Sequence, residues 1–431
     1  MHQRRRIILI ALAAAILISA APPPANRVPP PRSQAEVEKM MRRTWNREIL
    51  PAGASADTLQ RLLVRGQVVL MEDKPQADIP WSVAAGILID APPDTVFKTV
   101  TDFDHYPGVI PMTTTAHATP QALPNLYEVS YGIELMFSML NVQYSVYHYH
   151  RPPYRTDWAH ASGEFEVNVG FWQLIPADGG RRTMTFYSVY SLPRQPEVQA
   201  LYKELPPLEL MTNVATAAVI TRSIKAEAER REGKRLPPLR EKSSPEEILR
   251  SDQTTVSRLI GRGKLMVLEN GPSVYVTGAT IVSAPPDVCY RVLTDFGKYP
   301  ELLPGIQKSV VTGKTARGVM VHQESKIKLW KIELDNEIDR EFTLSPPDRI
   351  SWTVKRSGAA PATCYWRVTG MEGGKTLLVN GMTEDIRGAS LIAQAALTIE
   401  PNLEHALLAA LETASLDAFK KRMEAEGKKG K

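Results

Sequence analysis

One stretch of this sequence is written twice, and that constrains the fold more than any other feature. Ala91-Pro92-Pro93-Asp94 recurs as Ala284-Pro285-Pro286-Asp287, Thr101-Asp102-Phe103 as Thr294-Asp295-Phe296, Tyr106-Pro107 as Tyr299-Pro300, and Pro111 as Pro304, always 193 residues on. Across Ala91–Pro111 this makes 10 identities in 21 positions without a gap. At an offset of 194, Pro152-Pro153, Arg155 and Trp158 match Pro346-Pro347, Arg349 and Trp352; Phe171-Trp172 matches Tyr365-Trp366; Gly179-Gly180 matches Gly373-Gly374; Pro207 matches Pro401. A repeating unit of this size is a whole domain rather than one turn of a solenoid, so the chain reads as a tandem duplication.

The 431 residues then divide as follows. Residues 1–21 read as a signal peptide: Arg4–Arg6, an apolar run Ile7–Ile18, and Ser19-Ala20-Ala21 before a cleavage point. The run is shorter than a bilayer span needs, and an uncleaved N-terminal membrane anchor is the alternative. Residues 22–57 hold a Pro-rich segment and a short helix (Gln34–Leu50, with Val37, Met40, Met41, Trp45 and Ile49 broadly on one side). The copies are placed at 58–232 and 255–426, separated by a Pro- and charge-rich linker at 233–254 and followed by a basic tail at 427–431. Export makes a periplasmic location the expectation. A net charge of +5 fits weak contact with an anionic membrane surface and is far from a nucleic-acid-binding balance. Two cysteines exclude a disulfide scaffold. Cys289 and Cys364 read as buried free thiols, with a disulfide as the alternative.

Each copy opens with a β-branched strand (Ala85–Ile89, Gly278–Val282). Ala-Pro-Pro-Asp then ends the strand and starts a helix. Asp102 and Asp295 precede a second short helix, where capping is the leading reading. In the second copy Leu334, Asn336, Ile338, Arg340, Phe342 and Leu344 share one face at period two, against Glu333, Asp335, Glu337, Asp339 and Glu341 on the other. Val142, Tyr144, Val146, His148 and His150 take those positions in the first copy. Each copy closes with a long alanine-rich helix, in which Leu403, Leu407, Ala410, Leu411 and Ala414 follow helical spacing. The expected class is α+β: two tandem domains, each a curved antiparallel sheet wrapped around its long C-terminal helix. The alanines either leave an apolar cavity under that helix or allow close helix-to-sheet packing.

This element order, with Ala284-Pro285-Pro286-Asp287 and Thr294-Asp295-Phe296-Gly297-Lys298-Tyr299-Pro300-Glu301-Leu302-Leu303-Pro304-Gly305, resembles the START-like (SRPBCC) superfamily. That is the helix-grip fold of polyketide cyclases, coenzyme Q-binding proteins and lipid-transfer domains. The Trp366 strand and the terminal helix agree with the resemblance. It implies a pocket and no catalytic residue, since the superfamily has no universal catalytic motif. Two copies and an export signal depart from its familiar single-domain, intracellular members.

Candidate pocket residues are Tyr144, His148, Trp172 and Thr216 in the first copy, and Arg340, Phe342, Trp366, Leu407 and Ala410 in the second. His148 and His150 could serve as metal ligands, a polar pocket contact or structural histidines; no Cys or close acid joins them, so no metal is expected. Arg340 on an apolar face needs a partner, either an acidic ligand head group or a carboxylate such as Asp385 or Glu384. Thr216 is matched to Ala410 at the offset of 194. No nucleophile triad, phosphate loop or metalloprotease helix is present, and no cofactor is expected. The leading reading is an exported protein that binds or carries an apolar ligand: a lipid, quinone or isoprenoid. The alternatives are a polyketide cyclase/aromatase-like enzyme using Tyr144, His148 and Arg340, and a non-binding adaptor for protein partners.

Overall fold

The computed structural model describes residues 27–72, 83–111, 113–135, 140–204, 206–261, 263–271, 274–303, 305–329, 332–356, 359–384 and 403–429. The signal-like segment, Asp385, Pro304 and Pro401 lie outside them. The chain forms two compact units, Met1–Leu50 with Lys74–Arg240, and Pro51–Asp73 with Glu241–Lys431. Strand β1 (Gly66–Glu72) therefore comes first in the chain yet belongs to the second unit.

In the first unit, β2 (Val83–Ile89), β3 (Thr113–Pro120), β4 (Leu126–Leu135), β5 (Leu140–Arg151), β6 (Arg155–Gly163), β7 (Phe165–Ala177) and β8 (Arg182–Pro193) form one antiparallel sheet in the order β2-β8-β7-β6-β5-β4-β3. The helix Pro93–Thr101 follows β2; Pro93 sits where a missing N–H costs nothing, and Val96 and Val100 are buried. The closing helix Pro206–Glu232 buries Val214, Ala217, Ala218, Thr221, Ile224 and Ala228, an i, i+3/i+4 stripe. The opposite face of the sheet is covered by the N-terminal segment. The helix Gln34–Met40 ends sooner than expected, and Val37 and Met41 pack with Leu126, Tyr147, Ala159 and Ala161. Buried Arg155 fixes this segment: it pairs with Asp157 at 2.9 Å and donates to the carbonyls of Thr44 and Arg47, both at 2.6 Å.

In the second unit, β9 (Gly263–Glu269), β10 (Val276–Val282), β11 (Ile306–Lys314), β12 (Gly318–Leu329), β13 (Ile332–Ser345), β14 (Arg349–Arg356), β15 (Ala359–Met371) and β16 (Lys375–Met382) join β1 in the order β11-β12-β13-β14-β15-β16-β10-β9-β1. The first-copy boundary at 58 is corrected by this pairing. The helix Ala56–Arg65 and β1 pack with the second unit because β1 finds its antiparallel partner in β9, Val68 opposite Val267. Asp339 and Glu341 are exposed, as the alternation predicts, while Phe342 is buried. The closing helix Leu403–Lys429 buries Leu408, Ala409, Glu412, Thr413, Leu416, Phe419 and Met423. Leu411 is 39% exposed, so the buried stripe is rotated from the one read as Leu403, Leu407, Ala410, Leu411 and Ala414.

Neither motif aspartate caps its short helix through its side chain. Asp102 instead bonds His105 Nδ1 and Arg231, each at 2.7 Å, tying the motif to the closing helix. The repeated tyrosines do equivalent work in both units: Tyr106 donates to the Val100 carbonyl at 2.6 Å and Tyr299 to that of Leu293 at 2.8 Å. Cys289 and Cys364 are free and buried, and burial pushes their thiols up, to about 11 and about 12.

Candidate ligand-binding faces

In the first unit, β5 brings His148 and His150 onto the same face of the sheet, turned away from the N-terminal segment that covers Tyr147. His148 is buried between Phe103 and Trp158, ring centroids 4.6 and 5.5 Å away, and its Nε2 lies 3.3 Å from the Tyr131 hydroxyl. Tyr144 stacks on Tyr131 at 5.1 Å and meets Phe165 edge-on at 4.9 Å. Trp172 is buried against Tyr187 at 4.7 Å, and Tyr187 stacks on Trp158 at 5.2 Å. The result is a continuous, largely buried aromatic cluster on this face of the sheet. Burial pushes the phenols of Tyr131, Tyr144 and Tyr187 up and the imidazole of His148 well down; His150 is lowered to about 4. All five groups are therefore neutral at neutral pH. Among the described residues no carboxylate is bonded to either imidazole, and His148 Nδ1 and His150 Nε2 are buried without a partner. Among the described residues no cluster of three or more His, Cys, Asp or Glu could hold a metal ion.

Thr216 does not join this cluster. It is exposed on the closing helix, and the reason is a one-residue slip in the match between copies. Asp90 and Ser283, 193 apart, each give their backbone N–H to a glutamate of their closing helix. Those glutamates are Glu229 and Glu424, 195 apart, so the helices align at 195 rather than 194. One residue on a helix is a rotation of about 100°. The counterpart of Ala410 is thus Ala215, and Thr216 corresponds to the exposed Leu411.

In the second unit, Phe342 is buried 4.6 Å from Phe296 and 5.4 Å from Trp352, and Trp366 meets Phe419 of the closing helix edge-on at 5.1 Å. Arg340 pairs with Glu384 at 2.8 Å, so the carboxylate partner, rather than an acidic head group, satisfies its charge. Ala410 is buried, while the side chain of Leu407 lies outside the described ones. A groove of about 540 Å³ opens on the other side of the first unit's sheet, beside Pro29–Pro31, Met40, Ala159 and Val169; none of the expected pocket residues borders it.

Sequence reasoning missed the most unusual side chain of the second unit. Glu412 on the closing helix is fully buried, and neither carboxyl oxygen has a hydrogen-bond partner. It faces Gly278 of β10 so closely that a Cβ there would lie 2.3 Å from its Oε1. Burial holds its carboxyl well above the usual range, hence protonated. Asn380, register partner of both Gly278 and Trp366, has a buried, unpartnered Oδ1. Trp352 has a buried, unpartnered Nε1, because Ala362 stands where the first unit has Asn168, the 3.0 Å acceptor of Trp158. The signal was legible: Glu412 is the one acid in the stripe Leu408, Glu412, Leu416 at i, i+4 spacing.

Two family models, both described as "Polyketide cyclase / dehydrase and lipid transport", match residues 273–424 and 89–204. The chain belongs to this START-like superfamily and carries two of its domains in tandem. Among solved structures it is similar to the di-domain aromatase/cyclase StfQ from the steffimycin biosynthetic pathway, at 13% identity over 80% of this chain and 98% of that one, with a TM-score of 0.27. It is also similar to a STAR-related lipid transfer protein from Xanthomonas axonopodis (12%, 38% and 94%, TM-score 0.30) and to a protein from Thermus thermophilus (15%, 35% and 98%, TM-score 0.30). No curated protein matches the sequence.

Proposed function

We propose that this is an exported tandem START-like protein that binds or carries an apolar ligand, a lipid, quinone or isoprenoid, between sheet and closing helix. The observation that carries the reading is the aromatic face built from Phe103, Tyr131, Tyr144, His148, Trp158, Trp172 and Tyr187. Such a face offers a large apolar area with few polar contacts, which suits a hydrophobic molecule. Its imidazoles are neutral and carry no carboxylate to orient or activate them, which weighs against acid–base chemistry. The N-terminal signal pattern supports export and a periplasmic location, with an N-terminal anchor as the alternative.

Native mass spectrometry of the full chain recovered from its export compartment tests this. The expected result is an apolar molecule bound to the intact protein and extractable into organic solvent. A protein that is ligand-free and takes up no apolar probe would overturn the reading. A cyclase-like enzyme is the second reading, and the 3.3 Å Tyr131–His148 contact favours it, since a phenol and an imidazole at that distance can pass a proton. Turnover of a polyketide-type substrate, lost on His148→Phe, would establish it instead.

A further inference from the structure

The second unit's interior holds polar groups that its own fold leaves without partners. Glu412 is buried with both oxygens free among the described residues, and Gly278 opposite is what makes room for it. The first unit has Ala217 and Ala85 at these two places, so the space and the carboxyl occur together in one copy only. The Asn380 oxygen lies on the same face, one strand over from Gly278, where the first unit has Tyr187. Trp352 adds an unpartnered indole N–H on the same inner face, opposite Cys364 in register. Buried polar groups are ordinarily hydrogen-bonded, so several orphans on one inner face point to a partner from outside the chain.

We propose that Glu412 and Asn380, with Trp352 two strands from Asn380 on the same inner face, form the hydrogen-bonding end of the second unit's ligand site and select a neutral hydroxyl group carried on an apolar body. This rests on the reading that the interior takes an apolar ligand. The donor and acceptor inventory fits: a hydroxyl donates once, to the Asn380 oxygen or the Glu412 carbonyl, and accepts from the Glu412 acid O–H or the Trp352 N–H. Phe296, Phe342 and Trp366 supply apolar walls. An anionic head group fits less well, because the Arg340 charge is already paired with Glu384 through Nη2, although its buried Nε has no acceptor among the described residues, and buried Lys264 is paired with Asp417 at 2.7 Å. A neutral amine would take the Glu412 proton, and an ammonium would require that proton to leave for solvent; either way an ion pair is buried at a large desolvation cost.

The test compares 1-pyrenebutanol with 1-butylpyrene, which differ by one hydroxyl, in fluorescence titrations of the full chain. The wild-type protein is expected to bind the alcohol about tenfold more tightly. Glu412→Leu should abolish that preference, bringing the two affinities together. Glu412→Gln keeps a donor and an acceptor and should retain it, whereas a site for a cation would lose it. If Glu412→Leu does not fold, as judged by its melting temperature, Asn380→Leu carries the same expectation and Glu412→Gln still reports on charge. A preference that survives Glu412→Leu or Asn380→Leu, or that Glu412→Gln removes, overturns the proposal. Binding of both probes without preference overturns the hydroxyl site and leaves the apolar-carrier reading standing. Binding of neither removes both.

Discussion

In the first unit the indole of Trp158 donates to Asn168; in the second the matching Trp352 finds Ala362 in that place and has no partner. The same contrast runs through the interiors. Where the first unit sets Ala85 against Ala217 beside Tyr187, the second sets Gly278 against Glu412 beside Asn380. The backbones are alike down to the Tyr106 and Tyr299 bonds, so the fold itself does not require either filling. A duplicated scaffold thus keeps its framework bonds and varies what faces the space between sheet and helix, which is where a binding protein's specificity would lie.

The sharpest way to break the comparison is at the two matched arginines. Arg155→Ala should destabilise the first unit by about 2–3 kcal/mol, because it removes charge-assisted bonds to the fully buried Asp157, which keeps Arg151, and to the Thr44 and Arg47 carbonyls that hold the N-terminal segment. Arg349→Ala should cost about 1 kcal/mol or less: its side chain is 34% exposed, and Glu246 keeps Arg250 and Arg367. Denaturant unfolding of each variant measures the difference, and equal losses would contradict it.

Next comes Glu412→Leu, which should stabilise the second unit by about 1–3 kcal/mol at neutral pH by removing an unsatisfied buried group. The sign with pH follows from linkage. The folded-state pKa of Glu412 is raised above its unfolded value, so between the two the folded state holds a proton that the unfolded state has lost. Its contribution is therefore fully present below the ordinary carboxyl range and is lost as pH rises through the folded pKa. Unfolding measured from pH 4 upward should show stability falling more steeply in wild type than in Glu412→Leu.

Asn168→Ala copies the second unit's deficit into the first and should cost about 1–2 kcal/mol by orphaning Trp158 Nε1. Ala362→Asn, the reverse graft, should raise stability if the new side chain reaches Trp352, and thermal melts of the pair report both. The smallest effects belong to the motif aspartates. Asp102→Ala should cost about 1 kcal/mol through lost bonds to His105 and Arg231, and Asp295→Ala within about 0.5 kcal/mol. Equal losses would restore a shared capping role for the two.

The repeat made the fold legible because period-two strands, Pro-Pro turns and the Ala-Pro-Pro-Asp helix start are local signals. The alternation on β13 placed Arg340 and Phe342 on one face, and Arg340 has the Glu384 partner named for it from the sequence. Two things were not legible. Strand β1 pairs with β9, a partner about 200 residues away, and no local pattern reports such a choice. Thr216 was misplaced because insertions in poorly matched loops shift the helix register unseen, and a slip of one residue turns a buried position outward. Glu412 stands in the stripe Leu408, Glu412, Leu416, but the Gly278 that makes room for it is far away in sequence, and no local pattern pairs the two.

The central claim, that an apolar ligand sits between sheet and closing helix, is tested most directly by probe binding to the full chain with Ala409→Phe, which puts a large side chain at a buried position one turn before Glu412 on the same helix face. Binding of 1-pyrenebutanol at the second unit should be lost while the melting temperature moves little, because the new ring occupies ligand space. A large fall in melting temperature, as expected for overpacking a filled core at about 1–3 kcal/mol, with probe binding per folded molecule unchanged, would contradict it.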